Sequence, residues 1–510
     1  MEGAGFRSLI IFLLLAILAF VAGSLASENA VGALAPTGII LGLFFLIYLG
    51  KNCWVLVFIV PPLLSVLGVS LYRNFPISYV ICDVVLFYMI ILYMMGYIKI
   101  RWNGLLFIDL CALIFVLYIV STYIRHPVTM KVLTDITDFG YANVGGKEYL
   151  YLIAVSLCYI TISLLDVNFN TLKNIFKWSF FLSLGATVFI CLKGMVTGSI
   201  TLGEEVSNSR FGAFSGIGTM IIQYVFAKYS LIGIILSPAK LVLIVVAFGC
   251  VALSGFRTLL ISSVLYTVCA SIVHKQLCLY ILLGLTAWGS LVYLSNENEH
   301  LLDDLPHGIQ RALTVIPGIV VNDEAVRSAQ DSSEWRKEMW KWALDPSTGY
   351  IKDYVWGDGY GQSLYEEKLR ETAISLGLYR SGDAKLFAAR GVWHNGAIEC
   401  MHRLGLVGLA IAYIFLVIVV SFTLKVCFIL RPFEGAIYIS MSFFGLFERL
   451  FTIWFLPVNS IQIISMLYLL AVAKLVYLCI KREYPEYIHS RRGEYVPIIV
   501  NEHQQASPVL

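Results

Sequence analysis

His394 opens a segment whose side chains are those of proton-transfer chemistry: His394-Asn395-Gly-Ala-Ile-Glu399-Cys-Met-His402-Arg403-Leu-Gly405-Leu-Val-Gly408. The segment closes the hydrophilic stretch 295–403 and runs without a break into the apolar residues Leu409 to Leu424. A titratable side chain is thereby delivered to a membrane surface, and imidazole is the side chain best suited to moving protons near neutral pH. On a helix, Asn395, Glu399 and His402 share one face by i+4 and i+3 spacing, with His394 at its mouth. For Asn395, Glu399 and His402, capping a helix at the interface is an equal alternative to a supporting role; for His394 the whole segment favours a function.

A second set is cationic. Arg257, in Leu253-Ser-Gly-Phe-Arg257-Thr, stands between two apolar runs, Arg210 in Ser209-Arg210-Phe precedes another, and Arg73 occupies a third turn. Each alone reads as an arginine reaching from a helix end to the headgroups. Together they would form a basic pocket, because guanidinium binds phosphate oxygens bidentately and stays charged at any working pH. Asp83, Asp109 and the pair Glu448-Arg449 fall inside apolar runs and read either as functional intramembrane charges or as structural ion pairs. No His-Glu-x-x-His or cysteine spacing suggests a metal, and no Gly-x-Ser-x-Gly suggests a hydrolase. The eleven cysteines lie almost entirely in or beside apolar runs and form no disulfide framework.

The elements that position these residues cross a membrane. Hydrophobic residues make up 59% of the chain and charged residues 14%, with a mean hydropathy of +0.81, far from the balance of a water-soluble domain. Apolar runs at 8–26, 36–50, 53–71, 79–98, 104–124, 149–165, 178–196, 213–236, 240–256, 258–273, 277–294, 404–424, 435–453 and 458–480 predict an all-α polytopic membrane protein. That is about fourteen transmembrane helices, within a range of about 12–14. Arg7, Lys51, Lys99, Lys173, Lys240, Lys275, Arg431 and Lys481 fall on alternate connections, which places those connections and both termini in the cytoplasm. The first run also reads as a signal peptide ending at Ala26, although Arg7 alone makes a poor charged leader.

The chain then divides into 1–294 with eleven spans, a large outer loop at 295–403, three further spans in 404–480, and a cytoplasmic tail at 481–510. The loop is expected to be mainly helical. Asp331-Ser-Ser-Glu334 resembles a helix start, and Trp335, Met339 and Trp342 follow at i, i+4 and i+7. That aromatic face would either lie on the membrane or pack within the loop. Trp356-Gly-Asp-Gly-Tyr-Gly361 is a glycine turn whose backbone N–H groups could approach an anion, and Ser363 to Glu366 would begin another helix ending near Gly377.

The stretch His394-Asn395-x-x-Ile398-Glu399-x-x-x-x-Leu404-Gly405-Leu406-x-Gly408 resembles the signature of the O-antigen ligase and O-antigen polymerase superfamily. The resemblance is sharp over this stretch and loose over about residues 200–425. Family members often carry Ser-Arg directly where this chain has Ser254-Gly-Phe-Arg257, and an acid where it has Arg403. The resemblance implies a metal-independent membrane glycosyltransferase of the C-type architecture in the bacterial inner membrane, with the large loop periplasmic and no cofactor.

Its donor would be a glycan on undecaprenyl diphosphate. Its acceptor would be lipid A-core, another glycan unit or a protein, and no nucleic acid is involved. On this view His394 is the catalytic base and Arg257 and Arg210 bind the diphosphate. A lipid-linked glycan flippase or other polysaccharide transporter is the alternative, but it needs neither one large outer loop nor a histidine closing it.

Overall fold

The computed structural model describes residues 46–67, 77–98, 104–130, 143–145, 147–196, 212–254, 256–297, 302, 305–363, 393–433, 435–454 and 460–485. These fall into two units, one made of 46–55 and 87–98 and the other of the remainder. The chain is a helical membrane protein. Among the described residues, six helices are long and apolar enough to cross a bilayer, and four shorter apolar helices accompany them.

In chain order the helices are α1 (Leu56–Leu67), α2 (Ile77–Met94), α3 (Phe107–Arg125), α4 (Lys147–Ser163), α5 (Phe169–Val196), α6 (Gly212–Lys228), α7 (Leu231–Ile235) and α8 (Pro238–Leu253). They continue as α9 (Arg257–Val273), α10 (Leu277–Glu297), α11 (His307–Leu313), α12 (Asp323–Leu344), α13 (Gly396–Leu430), α14 (Ile437–Thr452), α15 (Ser460–Ile464) and α16 (Met466–Glu483). Every apolar run expected from 53–71 onward has a helix, while 8–26 and most of 36–50 lie outside the described residues. The run 213–236 divides at Tyr229 and Ser230, where Ser230 caps the short α7, and the run 458–480 divides at Ser465. α5 begins at Phe169, well before the apolar run at 178, because the Glu483 carboxylate accepts the Phe169 N–H at 2.9 Å and occupies the helix N-terminus.

One departure from all-helical structure is a small sheet in which β1 (Thr129–Met130) pairs parallel with β2 (Asn143–Gly145), and β2 pairs antiparallel with β3 (Gly361–Ser363). β3 belongs to the 295–403 loop, so this sheet ties the loop to the connection between α3 and α4. The helix expected from Ser363 to Gly377 lies beyond it and, except for Ser363 itself, outside the described residues.

The intramembrane charges are largely accounted for by helix-to-helix bonds. Asp109 Oδ1 lies 2.8 Å from the Lys474 ammonium, both side chains are buried, and the Tyr159 hydroxyl donates to the same oxygen. α3, α4 and α16 are thus joined by one satisfied ion pair, the arrangement in which a buried charge is tolerated. Arg449 donates to Gln462 at 2.7 Å, and the Glu448 carboxyl is hydrogen-bonded to Ser262 on α9.

Candidate functional site

α13 is two helical segments joined across a kink, where Gly405 sits at φ 74°, ψ 178°. The break lets loop backbone join the helix. The freed N–H groups of Leu406 and Val407 donate to the Tyr354 and Val355 carbonyls at 2.8 and 3.2 Å, while Asp358 and Gly359 donate to the His402 and Arg403 carbonyls at 2.8 and 3.0 Å. Such contact requires glycine on both sides. A Cβ on Gly357 would lie 2.3 Å from the Gly405 nitrogen, and one on Gly405 would lie 2.2 Å from the Val355 oxygen. At Gly357, then, the turn at 356–361 is spent on backbone packing against α13, not on approach to an anion.

The N-terminal segment of α13 carries the expected chemistry. Asn395 is its N-cap: the side-chain oxygen accepts from the Ala397 and Ile398 N–H groups at 3.0 and 3.1 Å, and Nδ2 donates to the Trp454 carbonyl at 2.7 Å. These bonds join the start of α13 to the segment just after α14. Glu399 is half-buried in the first turn. His402 is buried, with Nδ1 accepting the Trp393 Nε1–H at 3.2 Å and Nε2 lying 3.5 Å from Asp358 Oδ2.

His394 precedes the cap with φ 50°, a left-handed backbone that histidine adopts more readily than most side chains but still at a cost. Its ring is 5.3 Å from the Trp335 ring of α12. Burial, and secondarily the Arg336 guanidinium, hold its imidazole below the usual histidine range. A neutral imidazole can accept a proton, so both influences favour the base form at neutral pH.

α12 supplies the other wall. It starts at Asp323, not at Asp331, because Asn322 caps it by accepting the Glu324 N–H at 2.8 Å, and Ala325 and Ala329 extend its buried face. Trp335, Met339 and Trp342 pack inside the loop against a cluster that includes Ile351, Trp393, Ile398 and Met401. That face therefore packs, in part, within the loop.

Arg257 is the first residue of α9, as its position after the Ser254 turn suggested, and its guanidinium reaches α12. Nη2 donates to the Ala329 carbonyl at 3.2 Å and approaches Ser333 Oγ at 3.5 Å. Residues 329, 333 and 336 follow one another at i, i+4 and i+7, so Arg336 continues the face that Arg257 touches. The helix therefore brings a cation into the surroundings of His394 and receives Arg257 about a turn away. Arg210 and Arg73 lie outside the described residues.

Sequence reasoning passed over three residues of this site. Arg336 was hidden among the charges of an amphipathic helix, although its spacing from 329 and 333 is visible in the sequence. Trp393 and Asp358 carry no local signal, since their partners lie on other elements. Among the described residues no three His, Cys, Asp or Glu side chains converge as metal ligands would. No protein-family model matches the sequence, and no characterised protein matches it significantly.

Proposed function

We propose that this protein transfers a glycan from undecaprenyl diphosphate to a sugar hydroxyl at the periplasmic face of a bacterial inner membrane, as an O-antigen ligase- or polymerase-like glycosyltransferase. The observation that supports it best is the neutral-leaning imidazole of His394 beside Trp335 and Arg336 on the loop helix that Arg257 also reaches. The fourteen apolar runs support about fourteen spans, the alternation of cationic connections supports cytoplasmic termini with the 295–403 loop on the opposite side, and the family resemblance makes that side the periplasm.

In this reading His394 takes the proton of the incoming hydroxyl. The oxygen attacks the anomeric carbon of the donor, and the bond from that carbon to the diphosphate oxygen breaks. The charge gathered on the departing lipid diphosphate is met by Arg257, Arg210 and Arg336. Asn395, His402 and Glu399 support the base from α13, while α12 and the glycine turn limit water at the site.

The test uses full-length protein in nanodiscs with a glycan linked to undecaprenyl diphosphate and a matching acceptor. Wild type should lengthen or transfer the glycan without added metal, and His394→Ala at equal reconstitution should not. Normal product from His394→Ala would remove His394 as the base, and no product from wild type across ligase and polymerase acceptors would sink the reading as a whole.

A further inference from the structure

Trp393, the residue before His394, is fully buried and is fixed from two sides. Its carbonyl accepts the Trp340 Nε1–H of α12 at 2.8 Å, and its own Nε1–H donates to His402 Nδ1. The indole also stands edge-on to Tyr350 and to His402, with centroids 5.8 and 5.9 Å away.

An Nδ1 that accepts a hydrogen bond leaves the ring proton of neutral His402 on Nε2, and Nε2 faces Asp358 Oδ2 at 3.5 Å. Asp358 is held in turn. Its carboxylate oxygens accept the Lys352 and Asp353 N–H groups, both at 2.9 Å, and its own N–H donates to the His402 carbonyl. A chain of contacts therefore runs from the glycine turn through His402 to the Trp393 indole, hydrogen-bonded except for the 3.5 Å approach of Nε2 to Asp358. It stops one residue short of a histidine in left-handed backbone.

We infer that Asp358 and His402 are a positioning pair, which through the Trp393 indole holds His394 in the conformation that sets its imidazole against Trp335. This rests on the reading of His394 as the base, but it makes a separate claim about what orients that base. Neither residue of the pair touches the substrate. The pair works because a side chain in left-handed backbone reverts to a commoner conformation unless its neighbours are fixed. The charged groups around it are Asp358, Lys352 and Arg403 beside His402, and Arg336 of α12 beside His394.

His402→Phe keeps the ring volume and loses the acceptor for Trp393, whereas His402→Asn keeps an oxygen near the Nδ1 position. Released from its packed setting, His394 gains water and its titration moves up, toward the ordinary histidine range. In nanodiscs, His402→Phe is expected to lower kcat by on the order of 10- to 100-fold. It should also shift the acid limb of the pH profile upward, with both effects largely reversed in His402→Asn. Trp393→Phe, which removes the indole N–H together with the volume of the second ring, should shift the limb the same way and add little on top of His402→Phe.

Nitrogen-15 NMR of labelled histidine gives a readout that needs no turnover, namely the titration midpoint of His394 with and without His402→Phe. An unmoved midpoint in both His402→Phe and Trp393→Phe overturns the positioning pair whatever the activity. A midpoint that moves while His394→Ala stays active upholds the pair and removes only the base assignment.

Discussion

Gly405→Ala should be among the most damaging single-methyl changes this protein can suffer, and its cost can be worked from the structure. Gly405 has φ 74° and ψ 178°, a region populated almost only by glycine, and forcing alanine into it costs about 1–3 kcal/mol. The new methyl would also lie 2.2 Å from the Val355 oxygen and 2.5 Å from the Trp356 carbonyl carbon, so loop backbone must retreat. Retreat lengthens the bonds from Leu406 and Val407 to the Tyr354 and Val355 carbonyls, each worth about 1 kcal/mol net.

The combined cost is therefore a few kcal/mol. It falls on the contact that seats Asp358 against His402, so transfer activity should fall with stability. Thermal unfolding in detergent, followed by the loss of the monodisperse chromatographic peak, measures the first effect. Gly185→Ala and Gly284→Ala are controls, since a Cβ at either position meets nothing within 4 Å. If Gly405→Ala melts with those controls, the joint between loop and helix is not the constraint described above.

The other expectations concern single contacts. His394→Gly and His394→Ala should both lack transfer, but the glycine variant should be the more stable by about 1 kcal/mol, because it adopts the left-handed backbone freely; equal melting would mean that this conformation carries no strain. Arg257→Lys should slow transfer by on the order of tenfold or more, since an ammonium cannot contact a phosphate bidentately; a wild-type rate at equal reconstitution would leave only its charge relevant. Asp109→Asn or Lys474→Met alone should cost about 3–5 kcal/mol by stranding a buried partner, and Asp109→Leu with Lys474→Met should recover most of it. A double variant no more stable than either single one would contradict that account of the pair.

What could be read directly from the residues divides along a physical line. Lipid selects for continuous apolar runs, so the helices from α1 to α16 were visible wherever a run was long enough. Arg257 stood out as a cation at a span end, and it does begin α9. The i, i+4, i+7 spacing of Trp335, Met339 and Trp342 correctly gave one face, but periodicity is silent about what a face meets, and here it meets Trp393 and Ile398. Asp331-Ser-Ser-Glu334 has the composition of a helix start and is helix interior, because the Asn322 cap and the burial of Ala325 and Ala329 extend the helix upstream.

The break at Gly405 was least legible. Its bonds to the loop are backbone to backbone, and although Gly357 and Gly405 each stood out in the sequence, nothing there paired the one with the other. The same holds for Asp358, whose importance comes wholly from facing His402. His394 could be singled out by where it falls in the chain. What surrounds it is written in contacts between distant segments, and so a substitution at Gly405 or Trp393, neither of which has an acid–base side chain, should disturb the titration of His394.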